Sequence, residues 1–268
     1  MTRQAIWEAI LARRTYAITG DRIVPRFSIN GFPMGAIAPP EAKRRIEIAV
    51  EGGGALDCVD VLKNNRLLRR FSETDVAPSA TGAALRTKLH LELGWGEKGK
   101  QTEWTARFGI SDGRITKIEP RFRGTEVVSP LEKSSDSPSL YHVSRWRPDG
   151  DRAVAFETLS IGHPNNVTNT AQGMCLAIEA PIEAHVEAQL NGRHVEIPLR
   201  RLVEGAYADS LGGTATAAFR FHRAPLEWEW NWRFAFEDEG APGDVYYLRV
   251  RQKNDQWAWT SPIFLREP

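Results

Sequence analysis

Histidine is the residue type in this chain best suited to metal binding or proton transfer near neutral pH. Six histidines occur, and they are scattered along the chain at His90, His142, His163, His185, His194 and His222. None of them belongs to an HxH, HExxH or His-Asp pattern, so no local metal-ligand signature is present. Local motifs therefore predict neither a catalytic residue nor a metal site.

The densest group of candidate ligands lies on one predicted hairpin, whose two-residue turn is Asn191-Gly192. In this register one face is apolar and carries Val186, Ala188, Leu190, Val195, Ile197 and Leu199. The other face carries His185, Glu187, Gln189, His194 and Glu196. A solvated sheet face produces such a group routinely, so we interpret it as polar surface and not as a metal site.

A glycine run and two cysteines are the other features with chemical potential. Gly52, Gly53 and Gly54 lack a following Lys-Ser or Lys-Thr and lead into a strand-like run, so they predict a loop and not a phosphate cradle. Cys58 and Cys175 belong to no CxxC motif. A disulfide between them is possible, but two buried free thiols are the preferred interpretation.

Tryptophan is the one compositional excess, with nine residues. The segment LEWEWNWRFAFE, residues 226–237, alternates large apolar with mostly polar side chains and predicts a strand. Its apolar positions are Leu226, Trp228, Trp230, Trp232, Phe234 and Phe236. Because these positions share one face, we expect them to be buried between sheets, and a carbohydrate-binding platform is the alternative.

The composition is that of a globular chain. Of 268 residues, 41% are hydrophobic and 26% are charged, and the net charge is +1. No long block of one charge occurs, so neither nucleic acid nor an anionic membrane surface is indicated as a partner. The first residues lack a signal-peptide pattern, and no run approaches the roughly 20 apolar residues of a membrane span.

The chain begins with a predicted helix and continues with strands. Apolar residues at helical spacing predict a helix over 3–14 with Thr2 as its N-cap. Turn signals at residues 64–65, 112–113, 149–150 and 191–192 separate strand-like runs. Segments 129–140 and 203–216 are predicted to be exposed loops. The fold class is therefore mainly β, an antiparallel β-sandwich of about ten or more strands preceded by one N-terminal α-helix.

Segments at the two ends of the chain carry a family resemblance. Residues 5–35 include RRTYAITG at 13–20, Arg22-Ile23 and the turn NGFPMG at 30–35, with Ile18 where the family usually has Thr. YYLRV at 246–250 and AWTSPI at 258–263 form the second part. Both resemble a bacterial family related to the PHP (polymerase and histidinol phosphatase) metal-dependent phosphoesterases. Residues 40–240 resemble the family only in their general sequence character, without a specific motif.

The resemblance implies a chain that corresponds to the C-terminal portion of a longer protein. Residues 1–20 would be the end of a PHP-like barrel, and residues 21–268 would be an accessory β-sandwich. Divalent metals would be held by the upstream barrel, where they activate water and neutralise phosphate charge. The chain as written has no signal peptide, which indicates the cytoplasm, and an export signal on an upstream part would indicate the periplasm.

The corner after the first helix is the candidate binding site implied by this resemblance. Its strand would lie near the barrel mouth, where Arg14, Tyr16, Thr19 and Arg22 could contact an anionic substrate. In the alternative, Arg14 and Arg22 pair with carboxylates and Tyr16 packs in the domain junction. Both interpretations stay open at the level of sequence.

The expected function is therefore that of a noncatalytic domain that completes or caps a PHP-like hydrolase. Its partner would be the upstream barrel. Self-association through the apolar side of the first helix, residues 6–11, is a further expectation. The alternative function is a free-standing β-sandwich that binds carbohydrate or a protein partner.

Overall fold

The computed structural model describes residues 2–78, 82, 84–123, 142–162 and 171–267. The chain divides into two compact units. Unit 1 comprises Met1–Ala80 and Glu227–Pro268, and unit 2 comprises Thr81–Leu226. Both units consist mainly of antiparallel strands and a helix precedes the first strand, so the predicted fold class is confirmed.

The first part of the chain contains one helix, seven strands and a 3-10 turn. These are α1 (Arg3–Leu11), β1 (Tyr16–Ile18), β2 (Val24–Ile29), β3 (Phe32–Pro33), β4 (Ile37–Ala38), β5 (Lys43–Glu51), β6 (Leu56–Lys63), β7 (Arg66–Ser72) and the 3-10 turn Glu73–Asp75.

The described residues of the middle part of the chain form ten strands and a short helix. These are β8 (Leu85–Trp95), β9 (Gln101–Ile110), β10 (Arg114–Arg121), β11 (Arg145–Asp149), β12 (Ala153–Ile161), β13 (Gln172–Ala180), β14 (His185–Leu190), β15 (Arg193–Pro198), α2 (Leu199–Glu204), β16 (Tyr207–Ser210) and β17 (Ala217–Phe221). The last part contains α3 (Glu227–Trp230), β18 (Asn231–Glu239), β19 (Val245–Gln252), β20 (Trp257–Thr260) and β21 (Ile263–Leu265).

Unit 1 is a sandwich of two unequal sheets. The seven-stranded sheet has the order β1-β20-β19-β21-β4, with β6 beside β19 and β7 beside β6. The four-stranded sheet has the order β18-β5-β2-β3. One hydrophobic cluster takes residues from both sheets, including Phe27, Ile46, Ile48, Trp232, Val59, Leu248 and Val250. The inner faces of the two sheets therefore share one core.

Unit 2 is a sandwich of two five-stranded sheets, with the orders β10-β13-β8-β17-β16 and β11-β12-β9-β14-β15. Its hydrophobic cluster also takes residues from both sheets, including Leu89, Leu91, Leu176, Phe219, Trp104, Phe108, Phe156 and Val186. We predicted one sandwich over residues 21–268 after a separate segment 1–20, and the compact units divide the chain differently. Strand spacing indicates how many strands occur, but it does not reveal which strands enclose a common core.

The predicted hairpin at Asn191-Gly192 is confirmed. β14 pairs with β15, and Val186 lies opposite Ile197. Asn191 and Gly192 have φ values of 49° and 83°, the left-handed pair that a type I′ turn requires. The apolar face predicted for this hairpin is buried, as expected from its period of two.

The segment at residues 226–237 is only partly a strand, so the sequence prediction was wrong for its first half. Residues Glu227–Trp230 form the helical turn α3, and β18 begins at Asn231. The indole N–H of Trp232 donates to the carbonyl oxygen of Trp228 at 2.8 Å, which stabilises this turn. Trp230 and Trp232 are buried, whereas Trp228, Phe234 and Phe236 are half-buried.

Two other predictions of turns and loops need correction. Asp112-Gly113 does not join a hairpin, because β9 and β10 belong to different sheets. Segment 203–216 is not simply a loop, since it contains the end of α2 and all of β16. Turn residues mark a change of direction without specifying which strand pairs next. The predicted loop 129–140 lies outside the described residues.

The two cysteines and the glycine run occur as predicted. Cys58 and Cys175 are buried and are not joined by a disulfide bond, and residues 52–55 form the loop between β5 and β6. In unit 1 a buried arginine, Arg44, lies near the loop before β19. Its guanidinium donates to Asp244 and to the hydroxyl of Tyr246, each at 2.5 Å.

Candidate functional site

Helix α1 presents its apolar side chains to solvent. It is capped as predicted, because the backbone N–H of Ala5 donates to Oγ1 of Thr2 at 3.2 Å. Four apolar side chains form what we call the α1 stripe: Ile6, Trp7, Ile10 and Leu11, which are 44%, 56%, 51% and 60% exposed. An exposed apolar stripe of this kind marks an interaction surface more often than it marks a solvated one.

A close backbone contact holds the end of α1 against the following turn. The predicted helix over 3–14 ends earlier, at Leu11, because Arg13 adopts a left-handed φ of 56°. Gly35 has a φ of 84°, and a Cβ atom there would lie 2.3 Å from the carbonyl oxygen of Arg13. Only glycine fits this contact. Nε of Arg13 also donates to the carbonyl oxygen of Gly35 at 2.9 Å.

The strand that follows this corner forms the edge of the seven-stranded sheet. β1 pairs with β20, and Tyr16 lies opposite Thr260. The hydroxyl of Thr19 donates to Oε1 of Gln256 at 2.9 Å and accepts from the backbone N–H of Trp257 at 3.0 Å. The Thr19 side chain therefore holds the corner onto β20.

The four predicted site residues lie along this one exposed stretch. Tyr16 is 40% exposed, and Arg14, Thr19 and Arg22 are also exposed. The guanidinium of Arg14 makes no hydrogen bond or ion pair with any other residue that the structure describes. The structure thus brings the four residues to one edge of unit 1, and their role in substrate binding stays a prediction.

The two segments that carry the resemblance meet in this sheet. The second segment forms β19 and β20, and Trp259 in β20 lies opposite both Ala17 in β1 and Arg249 in β19. The first segment supplies β1 and the turn around Gly35. Segments far apart in the sequence are therefore neighbours in space.

Tryptophan and arginine side chains share the solvent side of this sheet. Trp257 and Trp259 are stacked with ring centroids 5.8 Å apart. The guanidinium groups of Arg249 and Arg251 lie 5.7 Å and 5.3 Å from the centroid of Trp257. Trp259 is 37% exposed. This arrangement forms an aromatic and cationic surface next to the corner.

One buried carboxylate, Asp60, orients Arg249 together with a further arginine, Arg70. Asp60 is 1% exposed and accepts hydrogen bonds from Nε of Arg70 at 2.6 Å and from Arg249 at 2.7 Å. Burial alone would raise the pKa of Asp60, but the hydrogen bonds from Arg70 and Arg249 hold it below its ordinary value. The carboxylate is therefore charged at neutral pH and fixes both guanidinium groups.

Unit 2 contains a polar cluster that the sequence analysis missed. The rings of His90 and His222 are stacked, with centroids 4.3 Å apart. Oε2 of Glu92 lies 3.0 Å from Nε2 of His222 and accepts a hydrogen bond from Arg220 at 2.5 Å. Burial would raise the pKa of Glu92, but the interactions with His222 and Arg220 lower it to about 2.

The tautomer of His90 follows from its neighbours. Nδ1 of His90 lies 3.2 Å from NH1 of Arg121, and a guanidinium can only donate, so Nδ1 accepts and Nε2 carries the hydrogen. Burial, together with the nearby charge of Arg121, holds the pKa of His90 well below its ordinary value. A Cβ at Gly173 would lie 2.9 Å from Nε2 of His90, so this glycine leaves the space that the ring occupies.

Polar residues at every second position of two strand-like segments were the sequence feature that could have predicted this cluster. Lys88, His90 and Glu92 occupy every second position of β8, and Arg220 in β17 is followed two positions later by His222, the first residue after that strand. A period of two places each set on one face of its strand. The pairing of β8 with β17 could not be inferred, because it joins distant parts of the chain.

The histidines of the predicted hairpin occupy a different environment. The side chains of His185 and His194 are 41% and 60% exposed, and their Nε2 atoms lie 3.9 Å and 3.8 Å from the carboxylate of Glu196. His163 lies outside the described residues. Among the residues that are described, no group of three or more His, Cys, Asp or Glu side chains could hold a metal ion.

Comparison with known proteins finds a partial match to a curated protein. A stretch of 76 residues is 37% identical to an uncharacterised protein of Chlamydia pneumoniae, and it covers 26% of this chain and 12% of that protein. The chain therefore spans a small part of the length of this curated relative. No family model matches the chain, and no solved structure matches it. Within the described residues, no helix is long and apolar enough to cross a bilayer.

Proposed function

We propose that this chain is a noncatalytic β-domain that completes or caps a PHP-like metal-dependent phosphoesterase, and that it docks on the barrel through the α1 stripe. The observation that carries the proposal is the exposure of this stripe, whose side chains are 44–60% exposed. Apolar side chains gain about 1.5–3 kcal/mol each on full burial, so a docked partner would gain substantially from covering them.

The occupant of the α1 stripe is argued from the family resemblance and from the corner. In the resembling family this helix ends the barrel, so the barrel would lie beside it. The backbone contact between Arg13 and Gly35 holds the helix in one position. A helix that is positioned before it binds loses less conformational entropy on docking. The much greater length of the Chlamydia relative is consistent with a larger assembly.

The chemistry in this proposal is divided between two polypeptide parts. The barrel would supply the divalent metals that activate water and stabilise the charge of the phosphoryl group. The corner would supply Arg14, Tyr16 and Arg22 to position the anionic substrate. Because the hydroxyl of Thr19 is hydrogen bonded to Gln256 and Trp257, Thr19 would act by holding the corner in place.

The docking surface is tested by binding to a PHP-like barrel polypeptide. The search for that polypeptide begins with an open reading frame rich in HxH-type motifs immediately upstream. Leu11→Ala, which removes a side chain that is 60% exposed, should weaken binding roughly tenfold or more. Leu67→Ala is the matched control, because Leu67 is 54% exposed in β7, outside the α1 stripe.

Three outcomes distinguish the possibilities. Weakening by Leu11→Ala alone supports docking through α1, and equal affinity for both variants contradicts it. If the isolated chain self-associates in sedimentation experiments and Leu11→Ala abolishes this association, the partner of the α1 stripe is a second copy of the chain and not the barrel. Metal-dependent turnover that appears only with the barrel, and that falls in Arg14→Gln, would support the proposed division of chemistry.

A free-standing binding domain is the second candidate, and the stacked pair of Trp257 and Trp259 favours it. Exposed tryptophan rings on a β-sandwich provide faces on which sugar rings can stack. Saturable binding to a glycan array that is lost in Trp259→Ala, without any association with a barrel, would favour this candidate. The parallel rings partly cover each other, which leaves less free aromatic surface than two separate rings would offer.

A further inference from the structure

The solvent side of the four-stranded sheet in unit 1 contains a cleft of about 670 Å³. This volume is typical of pockets that bind small molecules. The residues used in the argument below are Arg26, Ser28, Pro33, Glu47, Ala49 and Arg233, all of which line the cleft. We call this feature the arginine cleft.

The register of the sheet places two arginines on opposite sides of a small residue. Ala49 in β5 lies opposite Arg26 in β2 on one side and opposite Arg233 in β18 on the other. Neighbouring strands are about 4.8 Å apart, so the Cα atoms of Arg26 and Arg233 are about 10 Å apart. Since Ala49 has only a methyl group, the space between the two arginines is open, and both guanidinium groups can reach one ligand above it.

The two arginines of the cleft form no ion pair within the described part of the chain. Arg26 and Arg233 are exposed, and neither makes an ion pair or hydrogen bond with another residue in the described ranges. Two acidic residues of β5, Glu47 and Glu51, lie on this face two residues to either side of Ala49, and the carboxylate of Glu47 lies 3.1 Å from Nε of Arg45. Other arginines of unit 1, such as Arg44, are paired with carboxylates.

We propose that the arginine cleft binds the phosphate group of a small molecule. A carboxylate is satisfied by one bidentate guanidinium, whereas a phosphate dianion has oxygen atoms to accept from two guanidinium groups that approach from opposite sides. The hydroxyl of Ser28 is a further donor at the cleft. Pro33 and Ala49 provide apolar surface for the rest of the ligand.

The charge of Glu47 limits the size of the ligand. Glu47 in β5 lies opposite Ser28 in β2, and it is two residues from Ala49 on the same face of β5. Its carboxylate repels a second anionic group and can accept hydrogen bonds from ligand hydroxyls. A single phosphate therefore fits the cleft better than the backbone of a nucleic acid, which agrees with the near-neutral net charge of the chain.

The test is a titration with inorganic phosphate at pH 8, where phosphate is a dianion, followed by NMR or calorimetry. Acetate is the carboxylate comparison. Phosphate should bind saturably and more tightly than acetate, and Arg26→Gln or Arg233→Gln should each weaken it roughly tenfold. Ala49→Leu should also weaken binding, because it fills the space between the arginines without changing the charge.

Arg66→Gln is the matched control, since it removes an exposed positive charge from the seven-stranded sheet of the same unit. It should leave the affinity for phosphate within about twofold of the original, as expected for a weak long-range charge effect. An equal loss in Arg66→Gln and Arg26→Gln, full binding by Ala49→Leu, or the absence of saturation would overturn the proposal. None of these measurements involves the barrel, so the proposed docking can fail while the cleft is confirmed.

Discussion

Helix α2 of unit 2 and helix α1 of unit 1 differ in whether their apolar side chains are buried. In unit 2, α2 has six residues and buries Leu199 and Leu202 completely in the hydrophobic cluster. In unit 1, α1 has nine residues, and its side chains Ile6, Trp7, Ile10 and Leu11 remain 44–60% exposed. Both helices carry apolar side chains, but among the described residues those of α2 are covered by their own unit and those of α1 are not.

This difference shows what an amphipathic pattern can and cannot indicate. The pattern of α1 correctly predicts a helix with one apolar side, but it does not say which surface covers that side. In α2 the strand that precedes the helix delivers Leu199 directly into the core. In α1 the contact between Arg13 and Gly35 fixes the backbone and leaves the apolar side outward. The predictions below test this contrast between α2, whose apolar side chains are buried, and α1, whose apolar side chains are exposed.

The largest effect is expected from removing one core tryptophan in each unit. Trp232 in unit 1 and Trp104 in unit 2 are 0% and 1% exposed. Replacing either with alanine should cost about 3–5 kcal/mol of unfolding free energy, because it removes buried apolar contacts and leaves a cavity. Urea denaturation followed by circular dichroism measures this loss.

Hydrogen exchange then shows how the loss is distributed between the units. If each unit has its own core, Trp232→Ala should lower protection in β5 and β19, while β8 and β13 keep theirs. Trp104→Ala should do the reverse. Equal loss of protection in all four strands after either substitution would contradict two separately cooperative units.

Acid should destabilise both units, and each unit contains one carboxylate with a strongly lowered pKa, Asp244 in unit 1 and Glu92 in unit 2. Burial alone would raise the pKa of Asp244, but hydrogen bonds from Arg44 and Asn64 lower it to about 2, and the pKa of Glu92 is also about 2. Since these values lie below those of the unfolded chain, each carboxylate stabilises the folded state above about pH 4–5. That contribution, on the order of 2–3 kcal/mol each, is lost as the pH falls towards 2.

The acid effect can be assigned by substitution. Asp244→Asn should weaken unit 1 at pH 7, because it leaves the buried guanidinium of Arg44 without its carboxylate. It should also flatten the dependence of unit 1 stability on pH between 5 and 2. Glu92→Gln should do the same for unit 2. An unchanged pH dependence in either variant would show that other groups control acid unfolding.

The sequence predicted the local elements better than the arrangement of sheets. The turn at Asn191-Gly192 and the cap at Thr2 were predictable, because short-range backbone geometry determines both. The turn α3 was not, since its tryptophans continue the alternation of β18 and conceal a helical turn that the indole of Trp232 stabilises. The division into two cores was not predictable either, because unit 2 (Thr81–Leu226) is inserted in the sequence between the two segments of unit 1.

The candidate sites also differ in whether their residues are close in sequence or come from distant segments. The corner residues Arg14 to Arg22 are close in sequence, so one exposed stretch that includes β1 contains all of them. The stacked pair of His90 and His222 and the pair of arginines around Ala49 depend on strand pairing between distant segments. Patterns within a strand indicate the face of each residue, but pairing decides which faces adjoin.

A smaller effect is expected where α1 meets the turn. Gly35→Ala introduces a Cβ at a φ of 84°, 2.3 Å from the carbonyl oxygen of Arg13. Gly31→Ala is the matched control, since Gly31 has a φ of 83° and no atom within 4 Å of the added Cβ. The control should cost about 1–2 kcal/mol from backbone strain alone, and Gly35→Ala should cost more. The additional cost should appear as faster exchange in α1, and equal costs would argue against the backbone contact.

The smallest effect is expected from Leu11→Ala in the isolated chain. Leu11 is 60% exposed, so its removal creates no cavity, and alanine is a slightly better helix former than leucine. The change in unfolding free energy should be below about 0.5 kcal/mol, as for most exposed sites. The same substitution at Leu202 in α2, which is 0% exposed, should cost about 2–5 kcal/mol. If Leu11→Ala also costs more than about 2 kcal/mol, α1 is packed in the isolated chain in solution. The contrast between the two helices, and the docking role proposed for the α1 stripe, would then both be wrong.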